Sequence, residues 1–333
     1  MNTMQRTMRG NRNCLELGVA MAILVAGGGV AQSAEFATLY SFQGGADGAT
    51  PNGLILKDGA LYGTTYTGGA NDCGINSAYL CGTVFVLTHS AGSSLWKKTV
   101  LYSFNGTDGA GPRASLVFDS TGTFYGTTET EGTGGGFNGG GTVFELMPPA
   151  TAGGAWTETV LYAFDDSTYA PHTPRGGVLL GPNGTLYTTT QNTELMSDGT
   201  VFMVAPPAEP GGNWIGNLVL GFSASNVGAY PQATVVWSGG SLYGTTYFSS
   251  YNGEGGCGSV YEATPPASPP GAWTGTAIHN FGGPDGCGSM APLTVGPDGT
   301  LYVRPTTAAQ EGCRVPTLTE LGRPRKDVVL SSS

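Results

Sequence analysis

From residue 36 onward the chain is a succession of short runs in which apolar and polar residues alternate, each closed by Gly, Pro, Asn or Asp. A two-residue period over such a run predicts a half-buried strand. Between residues 114 and 164 four runs follow one another: Ala114–Phe118, Thr123–Thr128, Gly141–Leu146 and Trp156–Phe164, designated A, B, C and D. The A–B connections are tight: Lys57-Asp-Gly-Ala60, Asp119-Ser-Thr-Gly122, Pro182-Asn-Gly184, Ser238-Gly-Gly240 and Pro297-Asp-Gly299. Asp-Gly and Asn-Gly supply the positive φ that two-residue hairpins demand. Four strands joined in this way form an antiparallel meander, the makeup of one propeller blade.

The meander recurs. Phe42, Phe104, Phe164, Phe222 and Phe281 are spaced by 62, 60, 58 and 59 residues, and Trp96, Trp156, Trp214 and Trp273 by 60, 58 and 59. Gly82-Thr-Val-Phe85, Gly141-Thr-Val-Phe144, Gly199-Thr-Val-Phe202 and Gly258-Ser-Val-Tyr261 keep the same register. Periods of this size signal a propeller, solenoid or array. The fifth unit offers an A strand (Ala291–Val295), a B strand (Thr300–Arg304) and a C strand (Pro316–Leu321), but no recognisable D strand. Phe36–Phe42, conversely, is a D-like run without a unit. The expected fold is an all-β, five-bladed β-propeller of four-stranded antiparallel blades. Its N-terminal strand would pair with the last C strand to close the ring and cover two sheet edges. A β-solenoid or an incomplete larger propeller is the alternative, although solenoid coils are usually shorter, ~20–30 residues.

Composition fits this picture and narrows the compartment. The 333 residues include 57 Gly and 21 Pro, and only 11% are charged, against a usual ~25%. Long helices with charged outer faces are thereby excluded, while 39% hydrophobic residues exclude a disordered polar chain. Arg6, Arg9 and Arg12 precede the apolar stretch Leu17–Ala26 and an Ala-rich exit, the layout of a secretory signal peptide cut between Ala31 and Ala34. That stretch falls short of the ~20 residues needed to span a bilayer. The expected organisation is a signal peptide at 1–34, one repeat domain at 35–322 and a disordered tail at 323–333. The net charge of −10 argues against nucleic acid and anionic membranes as partners. An exported monomer in the periplasm, at the cell surface or outside the cell is expected.

The pairing of Tyr62-Gly-Thr-Thr65 with Gly82-Thr-Val-Phe85, and of Tyr125-Gly-Thr-Thr128 with Gly141-Thr-Val-Phe-Glu-Leu146, together with Tyr243-Gly-Thr-Thr246, resembles the GloVer tandem-repeat family. The resemblance spans about residues 38–302. It implies an exported, propeller-like bacterial protein, a type that often carries an interchangeable C-terminal anchor. The third unit departs with Tyr187-Thr-Thr-Thr190 and the fifth with Tyr302-Val-Arg-Pro305, after which the sequence becomes basic and shows no sorting anchor. Truncation or frameshift of the reading frame is the expectation, and resequencing its 3′ end tests it.

Meander topology places the B–C and D–A connections on one face. These are the long, Gly-rich loops, such as 129–140, and long loops over a rigid ring are where ligands bind. The D–A loops carry Asp47-Gly-Ala-Thr-Pro51, Asp108-Gly-Ala-Gly-Pro112 and Asp285-Gly. Asp47, Asp108 and Asp285 are candidate ligand or Ca²⁺ contacts, set against ordinary turn chemistry in which Asp caps its own turn. Thr65, Thr128 and Thr246 end B strands on the same face. Their hydroxyls could meet a sugar, or satisfy backbone groups at the strand ends. The repeated Trp residues read as packing between blades. No cofactor other than such a Ca²⁺ ion is expected.

The cysteines suit an oxidising compartment. Cys73 and Cys81 share one loop and are the expected disulfide, whereas Cys257, Cys287 and Cys313 allow three single pairings. The A runs carry no Asp or Glu, so an axial acid/base pair is lacking. His89, His172 and His279 fall at unrelated repeat positions, which argues against a metal centre. Two functions remain: a non-catalytic binding propeller for an extracellular glycan or protein, or a polysaccharide hydrolase using loop carboxylates such as Asp47, Asp108, Glu129 and Asp285.

Overall fold

In the computed structural model the described residues are 37–304, apart from 72, 74–80, 90–94, 133–139, 165–170, 192–197, 225–226, 250–255, 269–270 and 283–285, followed by 319–321 and 330–331. The chain divides into two compact units, Met1–Ser41 and Phe42–Ser333. Of the first unit only 37–41 are described, and they hold no strand.

The second unit is all-β. Its strands form five four-stranded antiparallel sheets, each in simple sequence order. The first contains β1 (Ala49–Lys57), β2 (Ala60–Thr67), β3 (Thr83–His89) and β4 (Trp96–Ser103). The second contains β5 (Val117–Phe118), β6 (Phe124–Thr128), β7 (Thr142–Met147) and β8 (Thr157–Ala163). The third contains β9 (Leu179–Leu180), β10 (Leu186–Thr190), β11 (Thr200–Ala205) and β12 (Ile215–Gly221). The fourth contains β13 (Val236–Ser238), β14 (Ser241–Thr246), β15 (Ser259–Thr264) and β16 (Thr274–Asn280). The fifth contains β17 (Thr294–Val295), β18 (Leu301–Val303), β19 (Thr319–Leu321) and β20 (Leu330–Ser331).

The repeated motif residues explain how each sheet is made. A Cβ on Gly126, the glycine of Tyr-Gly-Thr-Thr, would lie 2.6 Å from Phe144 Cζ, so this position must be bare for the aromatic ring of the neighbouring strand to cross it. Gly82, Gly141, Gly199 and Gly258 open β3, β7, β11 and β15 at φ 84–97°, a conformation that disfavours side chains. Their carbonyls accept the N–H of Phe104, Phe164, Phe222 and Phe281 at 2.9–3.1 Å. A register shift at Val84/Phe85, Val143/Phe144, Val201/Phe202 and Val260/Tyr261 recurs in each third–fourth strand pair; such bulges sharpen local twist.

The cores lie between sheets. Val84 and Phe104 of the first sheet are buried with Leu116, Phe124 and Phe144 of the second, and equivalent clusters fill the next three seams. The first strands of sheets two to five are shorter than the A runs expected from sequence. Part of their backbone faces a neighbouring sheet instead: the Ala114 carbonyl accepts from Thr64 Oγ1 at 3.2 Å, and Gly177 N–H donates to Thr234 Oγ1 at 2.8 Å.

The fifth sheet corrects the sequence reading. Its outer strand is β20, paired with β19 through Glu320↔Ser331 and Leu321↔Leu330, and residues 37–43 form no strand. Phe36 itself lies outside the described residues. A strand inside the segment expected to be a disordered tail thus holds the place assigned to the N-terminal run. Loop-closure entropy favours this: positions eight residues apart in the chain close a far shorter loop than segments nearly 280 residues apart.

Candidate functional site

The second strands of the first four sheets carry, at or near their ends, a pair of hydroxyl residues with divided tasks. The first reaches the next sheet: Thr64 Oγ1 donates to Ala114 O, Thr127 Oγ1 to Gly176 O (2.9 Å) and Thr189 Oγ1 to Ala233 O (3.2 Å). The second bonds within its own sheet, Thr65 to Thr83 and Thr128 to Thr142 at 2.8 Å, and Thr190 to Thr200 and Thr246 to Ser259 at 2.7 Å. Thr65, Thr128 and Thr246 are fully buried. Their hydroxyls also accept the backbone N–H of Thr83, Thr142 and Ser259.

Above these strand ends the two loop sets are stitched together. Bridges join Ala110 to Thr130, Pro174 to Thr190 and Ala229 to Phe248, each linking a D–A loop to the end of a second strand or the segment just after it. The residues Thr50, Gly111, Thr173 and Tyr230, each before a proline, adopt φ 55–67°. This is a strained choice for a β-branched Thr or a Tyr. It aims the N–H of Gly111, Thr173 and Tyr230 at the carbonyls of Cys81, Gly140 and Asp198, at 2.6–2.9 Å, tying each loop to the preceding sheet.

The candidate aspartates are placed as follows. Asp108 is buried and accepts from Tyr102 Oη at 2.6 Å, Asn105 N at 2.8 Å and Asn105 Nδ2 at 2.7 Å. Asp47 accepts from Gln43 N at 2.7 Å, and its carboxylate and carbonyl both accept from Lys98 Nζ. The Lys98 side chain is 2% exposed and lies over the rings of Phe42 and Phe85 at 5.0 and 5.3 Å. Burial lowers its pKa, and Asp47 opposes that shift. Asp285 lies outside the described residues. Asp47 and Asp108 thus have separate sets of partners. Among the described residues no group of three or more His, Cys, Asp or Glu could hold a metal.

A different group comes together on this face. Glu129, one residue past the Thr pair of β6, has a side chain only 5% exposed. Its Oε2 lies 2.6 Å from Arg113 Nε, and its Oε1 2.8 Å from Arg175 Nε. Both arginines follow the proline of a D–A loop, in successive units. Arg113 also lies over the Tyr66 ring at 4.5 Å, and burial pushes the Tyr66 phenol pKa up. The arginine side chains remain 41% and 26% exposed, so a buried carboxylate fixes two guanidinium groups that still meet solvent. Sequence reasoning named Glu129 only as a hydrolase carboxylate and missed both arginines. The available signal was the post-proline position itself, occupied by Asn52, Arg113, Arg175 and Gln232.

Two disulfides hold the same loops. Cys73–Cys81 closes one B–C loop with Cα atoms 5.5 Å apart, and Cys257–Cys287 joins a B–C loop to the next D–A loop with Cα atoms 4.1 Å apart. Cys313 lies outside the described residues. Among the described residues no helix is long and apolar enough to cross a membrane.

Repeated four-stranded sheets with packed seams and one loop-rich face define a propeller-like repeat protein. The Gloeobacter/Verrucomicrobia repeat matches residues 17–202 and 133–312, and the chain belongs to that family. Among solved structures it is similar to a protein assigned as an oxidoreductase (glucose dehydrogenase) from Thermus thermophilus, with 16% identity, 86% of each chain covered and a TM-score of 0.48. It is also similar to an α-L-arabinofuranosidase from Clostridium thermocellum, with 13% identity, 85% of this chain and 94% of that one covered, and a TM-score of 0.44. A protein of unknown function from Dyadobacter fermentans matches at 14% identity, with 82% and 78% covered and a TM-score of 0.45. No curated protein matches the chain.

Proposed function

We propose that the chain is an exported, non-catalytic binding protein built as a five-bladed propeller, whose B–C and D–A loops receive an extracellular glycan or protein. The observation that carries this reading is the Tyr66–Arg113–Glu129–Arg175 group. Charged side chains preorganised by a buried partner lose little freedom when they engage a ligand.

Ring closure is supported by the seat of Phe42. At three seams the ring that follows a fourth strand packs edge-on or tilted against an aromatic of the next sheet: Phe104 on Phe144 (5.1 Å), Phe164 on Phe202 (5.2 Å) and Phe222 on Tyr261 (4.8 Å). Phe42 takes the same seat on Phe85 at 5.1 Å and 69°, as though a further blade preceded the first sheet. Five wedges shut into a ring would supply it.

Binding is favoured over hydrolysis because the loop carboxylates expected to act in hydrolysis, Asp47, Asp108 and Glu129, are engaged, whereas Glu131 keeps a buried Oε1 without a hydrogen-bond partner. Glycoside hydrolysis uses two carboxyl groups flanking the scissile bond. Here Asp108 serves Tyr102 and Asn105, Asp47 serves Lys98, and Glu129 serves two arginines. The two disulfides support an oxidising compartment.

The test is a glycan array run beside a hydrolysis screen, using purified protein and an Arg113→Ala/Arg175→Ala variant. Saturable binding without release of reducing sugar, lost in the variant, is the expected result. Sugar release would replace the binder by a hydrolase. Equal retention by the variant would move the site elsewhere.

A further inference from the structure

We infer that the ligand of this face is an acidic glycan, with the Arg113 and Arg175 guanidinium groups receiving the carboxylate of a uronic acid residue. The inference rests on the binding function proposed above and names its ligand class.

The charge balance comes first. One carboxylate, Glu129, lies between two guanidinium groups, so the group carries one net positive charge in a chain whose overall charge is −10. A guanidinium presents five N–H donors in a planar fork. Glu129 occupies the Nε position of each arginine. Arg113 has Tyr66 as a further partner, and the exposed parts of the two forks would meet a second planar acceptor. A ligand carboxylate would neutralise the group and accept paired hydrogen bonds, the geometry in which arginine is most selective.

The flanking residues favour a sugar as the carrier of that carboxylate. Asn52 and Gln232 hold the same post-proline position in the units on either side of the two arginines. Asn52 Nδ2 donates to the Pro112 carbonyl at 2.7 Å, which sets its amide beside Arg113. The succession is therefore amide, guanidinium, guanidinium, amide. Amides both donate and accept, which suits hydroxyls, and hydroxyls on both sides of a carboxylate describe a uronate residue within an oligomer. An acidic peptide offers the carboxylate without the hydroxyls, and a neutral glycan leaves the central charge unanswered. The fifth unit places Met290 at this position and ends the row of donors.

The test is titration calorimetry with hexamers of galacturonate, glucuronate and mannuronate, each beside its carboxyl-reduced counterpart. At least one uronate hexamer should bind about ten- to hundredfold more tightly than its reduced form, and the difference should shrink as salt is raised. Arg175→Gln should abolish the preference. Arg113→Lys/Arg175→Lys, which keeps the charge and loses the fork, should weaken uronate binding while the unfolding midpoint stays near that of the parent. Reduced hexamers binding as well as uronates would overturn the inference and leave a neutral-glycan reading standing. Uronate preference surviving in Arg175→Gln would overturn the assigned residues. Failure of every hexamer, with binding elsewhere on the glycan array, would sink the uronate alone, and no glycan binding at all would sink the glycan reading as well.

Discussion

Glu129→Gln is the substitution that most directly probes how the loop face is held. The side chain is buried, and each carboxylate oxygen accepts one Nε–H, at 2.6 and 2.8 Å. An isosteric amide keeps one acceptor, removes the negative charge and turns an NH₂ toward one guanidinium. A charge-assisted hydrogen bond contributes about 1.5–3 kcal/mol, and stripping one partner from a buried ion pair costs about 3–5 kcal/mol. Both arginines reach water and can be rehydrated in part, which brings the expected loss to about 2 kcal/mol. Because Glu129 lies between the D–A loops of successive units, the loss should appear as a lower urea midpoint with an unchanged m-value. The double variant Arg175→Gln/Glu129→Gln should lose less than the sum of the two single changes, since each single change already breaks the shared contact. Strict additivity, or a loss below about 0.5 kcal/mol, a size ordinary for surface changes, would refute the claim that this carboxylate organises the face.

Three further outcomes are expected. Thr128→Val removes a hydroxyl that accepts from Thr142 N and bonds Thr142 Oγ1, so stability should fall by about 2 kcal/mol; unchanged stability with lost ligand binding would return this residue to the ligand site. Glu158 has a carboxyl oxygen buried without a hydrogen-bond partner, and burial, helped by Asp108 and Glu145, raises its pKa to about 8. Its folded pKa exceeds the unfolded value, so the contribution is full at low pH and is lost as pH rises from about 4.5 to 8, worth about 2 kcal/mol after solvent screening; Glu158→Gln should flatten that slope in urea titrations, and an unaltered slope would refute it. Phe42→Ala should cost about 2 kcal/mol if Phe42 seals the first sheet, and a midpoint matching the parent would count against ring closure there.

Much of the fold was legible because a hairpin meander is written locally. The two-residue period gave four strands per unit, Asp-Gly and Asn-Gly marked the tight turns, and Gly141 and Gly126 mark places where backbone geometry admits no side chain. The fifth sheet was misread because Val328-Val329-Leu330 is too short to register as a strand, sits behind Arg323, Arg325 and Lys326, and carries none of the D landmarks. The Phe36–Phe42 run matched those landmarks better. Its Phe42 does occupy a D-type seat against Phe85, while the hydrogen bonding of the fifth sheet goes to β20. A packing position was readable from the repeat; its pairing partner was not.

The candidate site was harder for a related reason. Repetition exposes residues that the first four units share: the Thr pair, the left-handed residue before Pro, the Gly that opens the third strand. Such residues build the sheets and their seams and are alike because their task is alike. An asymmetric ligand is met where equivalent positions differ, and here those are the residue after Pro (Asn52, Arg113, Arg175, Gln232) and the residue after the Thr pair (Tyr66, Glu129, Gln191, Tyr247). Arg113 and Arg175 stand 16 and 46 residues from Glu129 in sequence, so only the folded seams bring them together. The aspartates that recur, Asp47 and Asp108, are bound up in holding loops. The same reasoning places specificity in the units that break the pattern, and predicts that exchanging Arg175 with Gln232 would cost the Glu129 contact and weaken binding of the ligand's charged group, because Gln191 offers an arginine at 232 no carboxylate to fix it.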